Sequence, residues 1–374
     1  MDRRAKLFRH RDPYDIPGTN EQFLAAMAQN CRYQYDHCPD YRRILTERGF
    51  SPDRLRGTRD LGALPPIPTL YFKRHELFSM PPGKLPVKAT SSGTSGSRSR
   101  IGFDLMSLRR GADMVWRMGR YHDLFSPQPC HYLILGYEPH KSNQMAFTKT
   151  GYGFTFFAPA LSRTYALQYR DGQYVLCLED LQKRLLSAAK GGAPVRTIGF
   201  PAYTYMLLAE LKKQGVRLKL PKGSKLTMGG GWKQFYAQKV EKEALYALAE
   251  EVLGIGEGEC VEFFGAVEHP ILYTSCPRHH FHIPIYSRAI IRDPETLRPL
   301  PMGELGLLDL LTPMVMSQPL LSVMTDDLAI LHPAKSCGCG IPSPWLEIVG
   351  RVGVRDIVTC AAGAEQFLQG EGRT

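Results

Sequence analysis

Between residues 105 and 264 the chain alternates amphipathic segments of helix length with short apolar runs, and this rhythm narrows its fold more than any other feature. Helical periodicity marks 105–125, 178–189, 202–214 and 234–253, while 131–135, 195–198, 224–228 and 260–264 are apolar runs of strand length. Strand and helix in alternation predict an α/β core with parallel strands. Upstream, residues 20–50 predict two short helices, with Phe23, Leu24 and Met27 and then Tyr41, Ile44 and Leu45 on apolar faces. Leu64-Pro65-Pro66-Ile67-Pro68 reads as a stiff connector, because proline fixes φ and breaks helices. After Glu268 the runs at 281–291 and 303–311 are hairpin-like, so a β-rich part is expected from about residue 270. The expected organisation is a helical segment packed on the core (1–75), an α/β domain (76–350) and a short tail (351–374) that carries no further domain.

Composition bounds the rest. A chain of 374 residues, 43% hydrophobic, can bury a large core. No apolar run approaches the length of a membrane span, and no signal-peptide core follows the charged N-terminus. The nine cysteines are unevenly spread, with only Cys337 and Cys339 close together. That is no disulfide framework, and a cytoplasmic protein is expected. The net charge of +11 suits a polyanionic partner such as nucleic acid, an anionic membrane surface or a nucleoside triphosphate. The basic residues are dispersed, and their densest group (Arg98, Arg100, Arg109, Arg110, Arg117 and Arg120) is interrupted by apolar residues at helical spacing, which argues against nucleic acid.

The sharpest local signal is Thr90-Ser91-Ser92-Gly93-Thr94-Ser95-Gly96-Ser97-Arg98-Ser99-Arg100. Glycines let backbone N–H groups turn toward an anion, hydroxyls add donors and arginines add charge, a chemistry that suits a triphosphate. A Ser/Gly linker would share that composition, but apolar residues resume at once on both sides. Neither a Gly-Lys-Ser/Thr ending nor a Gly-x-Gly-x-x-Gly fingerprint is present. Further along come Met228-Gly229-Gly230-Gly231-Trp232, Phe264-Gly265-Ala266-Val267-Glu268, Thr325-Asp326-Asp327 and Gly350-Arg351.

Taken in order, these five motifs resemble those of the adenylate-forming ligases. The resemblance implies the large domain of that fold, with parallel-strand α/β subdomains and a smaller β-rich one, and without the usual C-terminal small domain. It further implies ATP on Ser91, Ser92, Gly93, Thr94, Ser95 and Gly96, with adenine against Gly229, Gly230 and Gly231 and stacked on Phe264 beside Gly265. Glu268 would hold Mg²⁺, Asp327 would accept the ribose hydroxyls, and Arg351 would lie near ribose or phosphate. The lysine that often ends the phosphate loop is replaced here by Ser99, between Arg98 and Arg100, which leaves the cation at the α-phosphate open.

Cys38-Pro39-Asp40-Tyr41 and the run from Leu64 to Lys73 narrow the resemblance to the acyl-protein synthetases, with the phenylacetate–CoA ligases as cousins. The family implies activation of a carboxylic acid, fatty or aryl, followed by transfer to a thiol. Cys360, in Thr359-Cys360-Ala361-Ala362-Gly363, is close to the Gly-Cys-Ala pattern of that family's acyl-carrying cysteine, with Thr359 in place of the glycine, and Arg351 and Arg355 could favour its thiolate. A buried structural cysteine is the competing reading. The acceptor is expected to be Cys360 or a thiol on an acyl-accepting or reductase partner protein, and an acyl- or aryl-CoA ligase, with coenzyme A as acceptor, is the first rival. A nucleotide-binding subunit without turnover is the remaining alternative, and intact Glu268 and Asp327 count against it. Gly136-Tyr137-Glu138 and Gly199-Phe200-Pro201-Ala202-Tyr203 are the segments expected to line the acid pocket. Finally, Cys276 and His282, with Cys337 and Cys339 about 55 residues on, could complete a tetrahedral Zn²⁺ site, unligated cysteines being the alternative. His279 and His280 read as surface residues.

Overall fold

The structure, a computed structural model, describes residues 2–91, 98–230 and 240–352. Ser92, Gly93, Thr94, Ser95, Gly96, Gly231 and Cys360 therefore lie outside the described residues, as does most of the tail. The chain divides into two compact units: one takes the described residues of 1–91, 96–122 and 265–356, the other those of 123–264. No helix among the described residues is long and apolar enough to cross a membrane.

The 123–264 unit is the alternating core. Its strands run in the order Cys260–Ala266, Lys225–Gly229, Val195–Gly199, Cys130–Tyr137, Ala160–Arg170 and Gln173–Leu176. All neighbouring pairs are parallel except the last. Leu133, Leu135, Ala166, Leu167 and Val195 are fully buried beneath the helices Leu178–Gly191, Pro201–Lys213 and Lys242–Leu253. Left-handed Gly192 and Gly254 end two of those helices, a conformation that costs glycine least. The third helix starts at Lys242, because Val240 and Glu241 are not helical, so the expected start at 234 is corrected for those two residues. The helix Ala146–Phe154 and the antiparallel strand Gln173–Leu176 had no counterpart in the sequence reading.

The other unit is built on an antiparallel sheet ordered Phe281–His282, Trp345–Arg351, Ser322–His332, Leu305–Leu311 and Arg288–Arg292. The run 281–291 is not one strand, for its ends pair at opposite edges of that sheet. Pro284 cannot donate to a ladder, and the Ile283 N–H goes instead to Pro344 O at 2.8 Å. The two short helices expected over 20–50 are a 22-residue helix, Ile16–His37, and the shorter Pro39–Glu47. They break where Cys38 precedes proline and takes an extended conformation. Asn30 Nδ2 on the long helix donates to Pro313 O and Val315 O at 3.0 and 2.8 Å.

A buried ion pair sets the connector that leads into the site. Arg292 Nε meets Asp309 Oδ2 at 2.8 Å, and the same guanidinium donates to Gly62 O and Leu64 O, both at 3.2 Å. Leaving either charge alone in that interior would cost about 3–5 kcal/mol. With Leu64 fixed, Ile67–Pro68 pairs in parallel with Val323 and Met324. The helix Thr69–Arg74 follows directly.

Candidate functional site

That short helix delivers Lys73 to Asp326. Nζ lies 3.8 Å from Asp326 Oδ2, and the side chain is only 12% exposed. From the neighbouring strand Arg351 reaches the same carboxylate at 3.4 Å and Asp327 Oδ1 at 3.8 Å. Asp327 is the register partner of Arg351 in the antiparallel pair, and its N–H donates to Thr325 Oγ1 at 3.2 Å. Both carboxylates thus reach Arg351, since the strand pairing is irregular across 325–327, and Asp326 is the one that lies against Lys73.

Glu268, at the turn before the strand His269–Thr274, is buried in the same unit. Burial pushes its carboxyl above the ordinary carboxylate range. The Ser99 hydroxyl, its own backbone amide and the charges of Lys73 and Arg351 pull the other way. Ser99 is wholly buried, and its hydroxyl faces that carboxyl without completing a hydrogen bond of ordinary geometry. It closes the base of the glycine-rich loop: Ser91 N–H donates to Ser99 O at 3.1 Å, and Ser99 N–H to Ser91 Oγ at 3.0 Å. The flanking strands, Val87–Thr90 and Arg100–Phe103, form a two-stranded ribbon. Thr90 Oγ1, like Ser99 Oγ, is buried and completes no hydrogen bond among the described residues. Orphaned buried hydroxyls are costly, and an anionic ligand would satisfy them. Arg100 turns away to Glu76 at 2.8 Å with its side chain 72% exposed.

The 123–264 unit presents its own set at the carboxyl ends of parallel strands, where α/β sheets bind ligands. Leu135 pairs with Gly199, Gly199 with Met228, and Gly229 with Phe263, so the segments at Gly136, Gly199, Gly229 and Phe264 end side by side. A side chain on Gly136 would strike the Phe147 ring at 2.7 Å, and one on Gly230, whose φ is +77°, the Phe200 ring at 2.9 Å. Phe147 and Phe200 stack with centroids 3.9 Å apart. Phe264 is half-buried and Gly265 exposed.

The metal-ligand candidates come together. One donor atom from each of Cys276, His282, Cys337 and Cys339 lies within 4.8 Å of every other. His282 Nδ1 bonds Ser343 O at 2.6 Å, which directs Nε2 to Cys339 Sγ at 3.2 Å. Left-handed Gly338 (φ +72°) and Gly340 (φ +88°) let the Cys337 and Cys339 loop fold tightly. Backbone N–H groups of Arg278 and Ile341 approach the sulfurs of Cys276 and Cys339 at 3.3 and 3.5 Å. Burial pushes the Cys276 thiol up and Cys337 to about 12. Two thiols raised in this way ionise together only against a cation, and the donor set of three sulfurs and one imidazole fits tetrahedral Zn²⁺.

Two residues near these groups escaped the sequence reading. Lys73 was visible inside Thr69-Leu70-Tyr71-Phe72-Lys73, but only the pairing of Ile67–Pro68 with the sheet shows where it points. His280, expected at the surface, is half-buried: its Nδ1 lies 3.2 Å from Cys337 Sγ, and its ring stacks on Trp345 at 3.7 Å.

The backbone path is that of a known class. Over 92% of this chain and 77% of that one, it follows the crystal structure of an open conformation of 2-hydroxyisobutyryl-CoA ligase in complex with 2-HIB-AMP and CoA, with a TM-score of 0.68 at 17% identity. The fold is that of an adenylate-forming ligase, as the ordered motifs led one to expect. Residues 12–369 match the family described as acyl-protein synthetase, LuxE, and the chain belongs to that family. It is 25% identical over 339 residues to the long-chain-fatty-acid–luciferin-component ligase of Vibrio harveyi, covering 90% of this chain and 85% of that protein. It is also 26% identical over 323 residues to the phenylacetate-coenzyme A ligase of Thermus thermophilus, covering 82% of this chain and 64% of that protein.

Proposed function

We propose that this ligase uses ATP to convert a fatty or aryl carboxylic acid to an acyl-adenylate, whose acyl group then passes to Cys360 or to a thiol on a partner. The observation that carries this reading is the setting of Glu268: a buried carboxyl beside Ser99 at the base of the glycine-rich loop, within the influence of Lys73 and Arg351. A carboxylate oxygen attacks the α-phosphorus of ATP and pyrophosphate leaves, so a poor leaving group is replaced by a phosphate. Negative charge grows on the phosphoryl oxygens, and loop N–H groups, Lys73 and Arg351 are the donors suited to meet it. Glu268 would hold Mg²⁺, which supplies further neutralisation when bound. Asp327 would accept the ribose hydroxyls, with Phe264 and the Gly229-Gly230-Gly231 turn on adenine. The long-chain-fatty-acid ligase relative favours a fatty acid, and the four-residue cluster is assigned to structural Zn²⁺.

The ribose role predicts a clear asymmetry. Charge-assisted hydrogen bonds contribute about 1.5–3 kcal/mol each, so Asp327→Asn should weaken ATP binding about tenfold or more in a titration. A larger loss from Asp326→Asn would move the ribose contact to Asp326.

A second reading, a coenzyme A ligase, is favoured by the phenylacetate-coenzyme A ligase relative. Labelled acid separates the two. With Cys360 as acceptor, the denatured protein retains hydroxylamine-sensitive label without coenzyme A. Cys360→Ser then abolishes that label and leaves pyrophosphate exchange intact. Acyl-CoA release from a protein that never acquires label gives the second reading instead.

A further inference from the structure

The arginines at helical spacing are not absorbed by this chemistry. On the helix Leu105–Tyr121, residues three or four apart share a face. One face carries Leu105, 71% exposed, and Trp116, 50% exposed, in alternation with exposed Arg109 and Arg120. The Arg120 guanidinium lies 5.9 Å from the Trp116 ring centroid, and exposed Met106 and Val115 flank the stripe. The one acid of this helix, Asp113, is held by Arg110 at 2.6 Å and by Arg9, just past the helix Arg4–Phe8, at 3.8 Å. Asp2 is likewise held by Arg4 at 2.8 Å and Arg110 at 3.4 Å. Exposed Arg9 adds positive charge beside Asp113, with exposed Arg3 and Lys6 on the same N-terminal segment, while half-buried Asp12 and exposed Asp123 lie toward the helix's C-terminal end.

We propose that this face docks on an anionic phospholipid surface. A lipid headgroup region accepts both kinds of side chain at once: guanidiniums meet phosphates while Trp, Leu and Met enter the acyl boundary. The net charge of +11 supplies the long-range attraction. Such docking would bring the ligase to the phase where long-chain acids partition, but it does not depend on the substrate being one.

The test is sedimentation of the full chain with vesicles of phosphatidylcholine plus phosphatidylglycerol, compared with phosphatidylcholine alone. Binding is expected only with the anionic lipid. Each arginine near such a surface is worth roughly fivefold in affinity, so Arg109→Gln with Arg120→Gln should weaken binding about twenty-five-fold. Pyrophosphate exchange without vesicles should not change, which also reports that the variant is folded. Should it misfold, lipid contact is read in the wild type as a blue shift of tryptophan emission that Trp116→Phe removes. Equal binding to both vesicles, unchanged binding of the arginine variant, or no shift at Trp116 overturns the proposal. Capture of polyglutamate but not of vesicles would assign the face to an acidic polypeptide, and overturns it too.

Discussion

Glu268→Ala is expected to cut acid-dependent exchange of pyrophosphate into ATP by about a hundredfold to a thousandfold, the range for removing one preorganised charge-stabilising group. Glu268→Gln should fail almost as badly, since it keeps the shape and loses the charge. Near-normal exchange in either variant would remove Glu268 from the site. The same carboxyl gives a pH signature. Burial raises its pKa, and Lys73 lowers it again. Deleting the Lys73 charge must raise the pKa further, so that protonation competes with a cation up to a higher pH. Lys73→Met should therefore shift the acidic limb of the exchange profile upward, beyond any loss of rate. An unshifted limb would mean that Lys73 does not act on Glu268.

Removing two thiols from the Cys/His cluster should have the second large effect. Protein purified without chelator is expected to carry about one zinc per chain, and Cys337→Ser with Cys339→Ser should lose it. Structural zinc supplies folding free energy, about 10–16 kcal/mol in small zinc-binding peptides. Because Cys276, His282, Cys337 and Cys339 tie a turn, an edge strand and the loop before Trp345–Arg351, the variant's melting temperature should fall steeply. Metal-free wild type with unchanged melting would show instead that these cysteines are unligated.

The alternating core was legible because period and strand length carry it: expected strands at 131–135, 195–198, 224–228 and 260–264 sit within or overlap Cys130–Tyr137, Val195–Gly199, Lys225–Gly229 and Cys260–Ala266. Sequence could not show that 281–291 splits across two sheet edges, since strand-like composition says nothing about which partner each residue finds. Of the candidate site, Glu268, Asp327 and Arg351 were proposed from short patterns with a fixed order, and the structure brings the three into one unit. Lys73 was not so proposed, for its role depends on pairing across more than two hundred residues, Ile67 with Val323. The cysteine and histidine spacing suggested four ligands, and only the fold shows that His282 is oriented by a backbone carbonyl from the loop before Trp345.

The most direct test is exchange of labelled pyrophosphate into ATP by the wild-type chain, measured across fatty, aryl and amino acids. Acyl-adenylate formation predicts exchange that requires both a divalent cation and an acid, strongest with a fatty or aryl one. Exchange with none of these acids, from protein that binds ATP, would contradict it and leave a nucleotide-binding subunit without turnover.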